Sequence, residues 1–122
     1  MPIVLVSRDL MLSSKLEGVA RSLGQTLKSV GSGAAALGNA EERQVIVVDL
    51  ELPGLDIAAL VKGIKNRTQQ PDKVIAYAPH VRTEKLAAAK EAGCDLVVSR
   101  GQIMSDAESI LRRFLETDNP QN

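Results

Sequence analysis

Short apolar runs alternate along the chain with longer amphipathic segments. Four runs are about one strand long, rich in β-branched residues and apolar at nearly every position, and a weaker fifth resembles them: residues 3–6, 45–48, 74–77 and 96–98, then 27–30. A continuous apolar run is typical of a parallel strand that is buried on both faces. We therefore predict five parallel strands between two layers of helices.

The segments between the runs carry apolar residues at helical spacing. We predict helices at residues 10–23, 34–42 (short), 56–67 and 83–92, and a last helix that opens at the capping box of residues 105–108. Asp9 and Asp56 are placed to cap two of these helices, and Gly24 and Gly93 to end two. The alternation of strand and helix indicates an α/β fold with a doubly wound parallel sheet and right-handed crossovers.

Length and composition limit the possible functions. The chain has 122 residues, which suits one domain, and we assign residues 1–117 to it and residues 118–122 to a flexible tail. Fifteen basic side chains balance fifteen acidic ones, which argues against nucleic-acid binding. A single cysteine, Cys94, excludes an internal disulfide. No apolar stretch is long enough to span a bilayer, so we expect a cytoplasmic domain with no membrane partner.

Polar residues follow the predicted strands at the edge where doubly wound sheets hold their functional groups. The residues at these strand ends are Ser7, Arg8 and Asp9, then Asp49, then Ala78, Pro79 and His80, and finally Ser99 and Arg100. Because parallel strands end at the same edge of the sheet, these side chains are expected to lie near one another.

Two stretches identify a resemblance. Residues 45–56, Val-Ile-Val-Val-Asp-Leu-Glu-Leu-Pro-Gly-Leu-Asp, resemble the phosphoacceptor strand and loop of receiver domains in bacterial two-component response regulators. Residues 92–95, Ala-Gly-Cys-Asp, are similar to a segment that these domains carry before their last strand. The resemblance covers essentially the whole chain and implies the flavodoxin-like strand order 2-1-3-4-5.

The resemblance implies a role for each strand end, and this chain departs from most of them. Asp49 matches the aspartate that receives a phosphoryl group from a histidine kinase. Ser7 and Arg8 stand where the family has the acidic pair that holds Mg²⁺. Neither is a good ligand for a hard dication, so we expect weak or absent Mg²⁺ binding and no other cofactor.

The later strand ends depart from the family as well. Ala78 stands where a Thr or Ser contacts the phosphoryl group, and Arg100 where a Lys does. Val97 stands near the place of the aromatic switch residue. We hypothesise that Arg8 and Arg100 pair directly with Asp49 and lock the pocket.

Other polar residues have simpler interpretations. Glu51 is expected on the loop surface, Tyr77 in packing, and Cys94 as a small apolar group. His80 is expected in an exposed loop. Three cations of the third helix are expected to form a solvated face: Lys62, Lys65 and Arg67.

Three functions remain open. The first is a non-enzymatic pseudo-receiver that binds a protein partner, or itself, through the fourth helix, fifth strand and fifth helix. That face would contain Arg82, Lys85, Ala89, Glu91, Asp106, Arg112 and Arg113. The second is an atypical phosphoacceptor, modified on Asp49 by a histidine kinase. The third is a flavodoxin-like domain that binds a small anion or cofactor with its two strand-end arginines.

Overall fold

The computed structural model describes residues 2–38, 43–67 and 72–116. Its strands are β1 (Ile3–Val6), β2 (Leu27–Val30), β3 (Val45–Asp49), β4 (Lys73–Ala78) and β5 (Leu96–Ser99). Its helices are α1 (Leu10–Ser22), α2 (Gly33–Ala36), α3 (Ile57–Asn66), α4 (Thr83–Glu91) and α5 (Arg100–Glu116). All five predicted strands are confirmed, with ends that shift by at most one residue. The described helices are too short or too polar to cross a bilayer.

The five strands form one parallel sheet in the order β2-β1-β3-β4-β5, as the resemblance implied. The chain winds outward from β1 in both directions, so the order reverses between β1 and β3. Asp49 pairs in register with Tyr77 across β3 and β4, and Ala78 with Ser99 across β4 and β5. The strand ends that carry the candidate chemistry therefore lie side by side.

Local signals set the helix boundaries. Asp9 accepts a hydrogen bond from the Leu12 backbone N–H and caps α1, and Asp56 caps α3 in the same way. Gly24 and Gly93 follow α1 and α4 with positive φ angles of 71° and 95°. A left-handed residue ends a helix at little cost only when it is glycine. The predicted caps and stops are confirmed.

The last helix begins earlier than predicted, and the non-helical residue Asp106 divides it into two stretches, of which the second corresponds to the predicted final helix. Helix α5 begins at Arg100, because the Ser99 hydroxyl accepts a hydrogen bond from the Gln102 N–H. Ser105 donates its hydroxyl proton to the Gly101 carbonyl instead of capping a helix, and the helix is kinked at Asp106. Helix α2 is one short turn. The remaining predictions for residues 39–42 and 118–122 lie outside the described residues.

The core forms two layers on opposite faces of the sheet. One contains inward side chains of β1, β3 and β4 packed under α1 and α5, and the other contains the alternate side chains packed under α2 and α3. The three central strands are almost completely buried, which explains why their sequences are apolar except at Asp49 and Lys73, the partly buried ends of β3 and β4. Helix α4 covers a smaller cluster that includes Ala78 and Ala89.

The amino-terminal edge of the sheet is held by a buried ion pair. Arg67, just after α3, donates to the fully buried carboxylate of Asp72, with 3.2 Å from Nε to Oδ2. The same guanidinium donates to the backbone carbonyls of Ala36 and Gly38 and to the side chain of Gln44. It therefore joins α2 and α3 to the segments that lead into β3 and β4.

Lys65 is also engaged, in a salt bridge of 2.6 Å with Asp95. The predicted solvated face was therefore wrong for Lys65 and Arg67, because their long side chains reach across to neighbouring loops. Lys62 is exposed as predicted.

Candidate functional site

The candidate pocket lies at the carboxyl edge of the sheet, around the end of β3. Asp49 is the last residue of this strand and is partly buried between the ends of β1 and β4. Both of its carboxylate oxygens accept hydrogen bonds. The Ser7 hydroxyl donates to Oδ2 at 3.1 Å, and the Glu51 backbone N–H donates to Oδ1 at 2.8 Å. The donors that hold Asp49 are therefore neutral groups of its own and the adjacent strand end.

Tyr77 belongs to this pocket. Its hydroxyl lies 2.8 Å from Ser7 Oγ, and its side chain is only 1% exposed. Ser7 Oγ also accepts the Asp9 N–H at 2.9 Å. Because a carboxylate can only accept, the Ser7 proton points to Asp49 and the Tyr77 hydroxyl donates to Ser7. The result is a chain of hydrogen bonds from Tyr77 through Ser7 to Asp49.

Tyr77 packs in the core, as predicted, but the contact of its hydroxyl with Ser7 was not predicted. A signal was present, because Tyr77 immediately precedes Ala78 on the strand next to Asp49. Burial raises the pKa of Tyr77 far above its ordinary value, and the nearby Asp49 charge acts in the same direction. The phenol therefore stays protonated and remains a donor.

Arg100 pairs with Asp9, and not with Asp49 as predicted. Its Nε lies 2.7 Å from Oδ2 of Asp9, and its terminal nitrogen lies 3.2 Å from Oδ1. This bidentate contact holds the pKa of Asp9 below its ordinary value. Partial burial acts to raise that pKa, and the hydrogen bond from the Leu12 N–H acts to lower it. Asp9 was predicted both as a helix cap and at the strand-end pocket, and its carboxylate serves as cap and as ion-pair partner of Arg100.

Arg8 does not pair with Asp49 either. Its side chain is exposed and runs beside Gly31, at the end of β2, where a Cβ on the glycine would lie 3.7 Å from Arg8 Nε. Among the described residues it forms no ion pair with Asp49. Alternation along the strand explains this result: Ser7 faces the pocket, so the next side chain faces away. The predicted pairing of both arginines with Asp49 was wrong.

Glu51 links the loop after β3 to helix α4. Its carboxylate accepts from Arg82 Nε at 2.8 Å and from Lys85 Nζ. The hydrogen bonds from Lys85 and then Arg82 hold the pKa of Glu51 below its ordinary value. Glu51 was expected on the loop surface, and its side chain is partly exposed there. The backbone N–H of Glu51 binds Asp49, and its carboxylate binds Arg82 and Lys85 at the start of α4. Glu51 therefore connects the pocket to α4.

The predicted interaction face is only partly available. Ala89 lies on the inward face of α4 and is fully buried, so it cannot contact a partner. Arg82 and Lys85 turn toward Glu51. Arg112 lies 3.5 Å from Glu108, and Arg113 lies over the ring of Phe114. Glu91 and Asp106 remain exposed.

The Mg²⁺ that the resemblance implies does not fit these side chains. The ion needs several hard oxygen ligands, and the carboxylates near the pocket belong to Asp9 and Asp49. Arg100 already occupies both oxygens of Asp9, and a guanidinium at this position repels a dication. Elsewhere in the described ranges no group of three acidic, His or Cys side chains could hold a metal.

Two further candidate residues, His80 and Cys94, take no part in the hydrogen bonds of the pocket. His80 is exposed, as expected. Cys94 is half-buried and packs against the layer under α3 and the cluster under α4, and burial raises the pKa of its thiol to about 11. The thiol therefore behaves as a small apolar group, which confirms the prediction.

Comparison with known proteins places the fold. No family model matches the chain, and neither does any curated protein. Many solved structures do match. The BeF3-activated DrrB receiver domain is 25% identical with a TM-score of 0.77, over 94% of this chain and 97% of that one. The receiver domain of a sensor histidine kinase from Pseudomonas aeruginosa, crystallised with magnesium in its active-site cleft, is 24% identical with a TM-score of 0.75, over the same shares.

A third structure is more distant in sequence. It belongs to a family of redox sensors in the streptococci that evolved from two-component response regulators, and is 12% identical with a TM-score of 0.78, over 96% of this chain and 52% of that one. The strand order, the position of Asp49 and these matches agree. The chain therefore has the CheY-like receiver fold that is found in response regulators.

Proposed function

We propose that this domain signals by binding a protein partner and does so without phosphorylation of Asp49. One observation carries the proposal: both oxygens of Asp49 are held by Ser7 and by the loop backbone, while the nearest pocket cation, Arg100, is held by Asp9. An acceptor must present a free oxygen and gather positive charge around the incoming phosphoryl group. Here Arg100 is already paired with Asp9, and neutral donors occupy both oxygens of Asp49.

The residues around the pocket offer little to a phosphoryl group. Ala78 is fully buried and has no hydroxyl to donate. Val97 is aliphatic and packs beside the apolar cluster under α4. Without a metal, charge neutralisation would depend on breaking the contact between Arg100 and Asp9. These features favour a pocket that keeps one arrangement.

Ion pairs also hold the loop after β3 against helix α4. Glu51 ties the loop after β3 to Arg82 and Lys85 at the start of α4. A helix held in this way presents the same surface to a partner at all times. A distant structural neighbour is named as a redox sensor that evolved from response regulators, which supports the idea that this fold serves signalling without its usual chemistry.

The third function considered from sequence loses its basis. A small-anion site was suggested by two strand-end arginines, but Arg100 is neutralised by Asp9 and Arg8 lies beside Gly31. The two guanidinium groups therefore do not converge on one ligand. Phosphorylation on Asp49 by a histidine kinase remains the alternative to be tested.

The test is intact mass spectrometry after incubation with acetyl phosphate and Mg²⁺. We expect no added phosphoryl group on the native chain or on Asp49→Asn. The triple variant Ser7→Asp, Arg8→Asp, Ala78→Thr, which restores acidic and hydroxyl groups at the strand ends, serves as the matched positive control. A phosphoryl group that appears on the native chain and is absent from Asp49→Asn would overturn the proposal.

A further inference from the structure

An open groove runs between the loop after β3 and helix α4. It has two adjoining parts with volumes of about 380 and 730 Å³. Leu55, Ile57 and Ala88 line both parts and form a continuous apolar floor. Ala88 is an exposed residue of α4, and its small side chain leaves the floor open. The groove can therefore receive an aliphatic side chain from outside.

The two ends of the groove differ in charge. Toward the pocket, Glu51 and Lys85 neutralise each other. At the far end, Asp56 and Glu91 are both exposed, and within the described residues neither forms an ion pair. Asp56 also caps α3, so the far end is acidic and neither carboxylate has a cationic side chain as partner among the described residues.

The position of Glu91 is unfavourable within the isolated domain. It is the last residue of α4, where the partial negative charge of the helix carboxyl end repels a carboxylate. Lys90 precedes it directly, so the two side chains do not face each other. A cation supplied from outside would relieve this repulsion.

We infer that the groove binds a helical segment of a partner protein that carries an aliphatic anchor and a basic side chain about one turn away. The anchor would rest on Leu55, Ile57 and Ala88, and the basic side chain would face Asp56 and Glu91. Residues three or four apart lie on one face of a helix, and a helix laid into an apolar groove is a common mode of peptide recognition. The inference rests on the proposed function, because it names the site and chemistry of the partner.

Charge and shape separate this occupant from others. An acidic rim disfavours nucleic acid, whose phosphates need basic contacts. The groove is open along its length, and its carboxylates lie at one end instead of converging on a point. Small-molecule sites are usually concave, with polar groups placed around the ligand. A peptide helix that carries an apolar and a basic side chain matches both the apolar floor and the acidic end of the groove.

The experiment is selection of a random peptide display library on the full chain. The matched variants are Ala88→Arg, which places a bulky cation in the groove, and Ala87→Arg, which places it on an exposed position of the same helix outside the groove. Circular dichroism and thermal melting confirm that both are folded. We expect enriched peptides to carry Leu, Ile or Met with Lys or Arg three or four positions away. They should bind Ala87→Arg normally and lose binding to Ala88→Arg.

A second variant tests the charge. Glu91→Gln should weaken the selected peptides by about two- to fivefold, as expected for an exposed ion pair, and the loss should shrink in high salt. Three outcomes would each overturn the proposed peptide site. They are equal binding of the peptides to Ala88→Arg and to the native chain, an acidic consensus sequence, and a selection that enriches no peptide. None of these results depends on the phosphodonor experiment, so the two proposals fail separately.

Discussion

Arg100 holds Asp9 with two hydrogen bonds, the shorter one 2.7 Å from Nε to Oδ2. This single pairing decides the electrostatics of the strand ends. It removes the cation that could have faced Asp49, and it turns a helix cap into an ion-pair partner. Asp49 is consequently held by neutral donors.

Substitutions at Asp9 separate these two functions. Asp9→Asn keeps a good helix cap and removes the charge, so the free energy of unfolding should fall by less than about 1 kcal/mol because the pair is partly exposed. Asp9→Ala also removes the cap and should cost about 1 kcal/mol more. Urea denaturation measures both. Equal losses in the two variants would show that the cap contributes nothing.

The contact of Glu51 with α4 predicts a dependence of stability on acid. The pKa of Glu51 is lowered in the fold from its ordinary value of 4.5, so its pairs stabilise the domain fully above that pH. The contribution is lost as pH falls through the lower, folded-state pKa. Stability measured by urea denaturation at decreasing pH should therefore differ between the native chain and Glu51→Gln above pH 4.5, and the difference should shrink below it. A difference between the native chain and Glu51→Gln that does not change across this pH range would contradict the contribution of these pairs.

Tyr77 predicts a second dependence at alkaline pH. It is the only tyrosine, and the chain has no tryptophan, so phenolate absorbance reports this residue alone. Its pKa is raised above 10.0 by burial, so the folded protein should show no phenolate at the pH where an unfolded sample is half ionised. Stability should decrease as pH rises above 10, because only the unfolded chain then releases the proton. Coincident titration curves for folded and urea-unfolded samples would contradict the buried hydrogen bond.

Ser7 and Tyr77 should be energetically coupled. Tyr77→Phe removes one donor from a buried contact and should cost about 0.5–1.5 kcal/mol. Ser7→Ala leaves the Tyr77 hydroxyl and an oxygen of Asp49 without their partner, so we expect about 1–3 kcal/mol. The double variant should cost less than the sum of the two. Strict additivity in this double-mutant cycle would mean that the two hydroxyls do not interact.

Glu51 should also control local opening of α4. The N-cap residue Arg82 makes no side-chain capping hydrogen bond, so the first turn depends on the ion pairs with Glu51. Glu51→Gln should speed hydrogen exchange in that turn several-fold and leave the central strands unchanged. Glu17→Gln, which breaks the remote pair with Arg21 on α1, should not affect α4. Unchanged hydrogen exchange in Glu51→Gln would show that the ion pairs of Glu51 do not stabilise the first turn of α4.

The fold could be predicted because its signals are local. The apolar run at Ile3–Val6 and the weaker candidate at Leu27–Val30 match β1 and β2 in full. Caps at Asp9 and Asp56 act within three residues of the helix that they begin. Periodicity and capping depend on neighbouring residues, and a single sequence records those directly.

The sequence predicted where the site lies but not which side chains pair within it. Strand register brings Asp49 next to Tyr77, and the sequence contained that information. The partners of Arg8, Arg100 and Glu51 could not be predicted, because a long side chain can reach several groups and the choice depends on three-dimensional packing. The capping box at Ser105 failed for a related reason: Ser99 offered an earlier cap that continued the chain directly from β5.

The clamp formed by Arg67 and Asp72 has a consequence for how such a domain changes over evolution. It fastens the edge of the sheet opposite Asp49, and it shares no residue with the pocket. Substitutions at the strand ends, at Ser7, Arg8 or Ala78, would therefore leave this ion pair intact. The chemistry of the pocket and the stability of the scaffold depend on different residues, so the first can change without loss of the second.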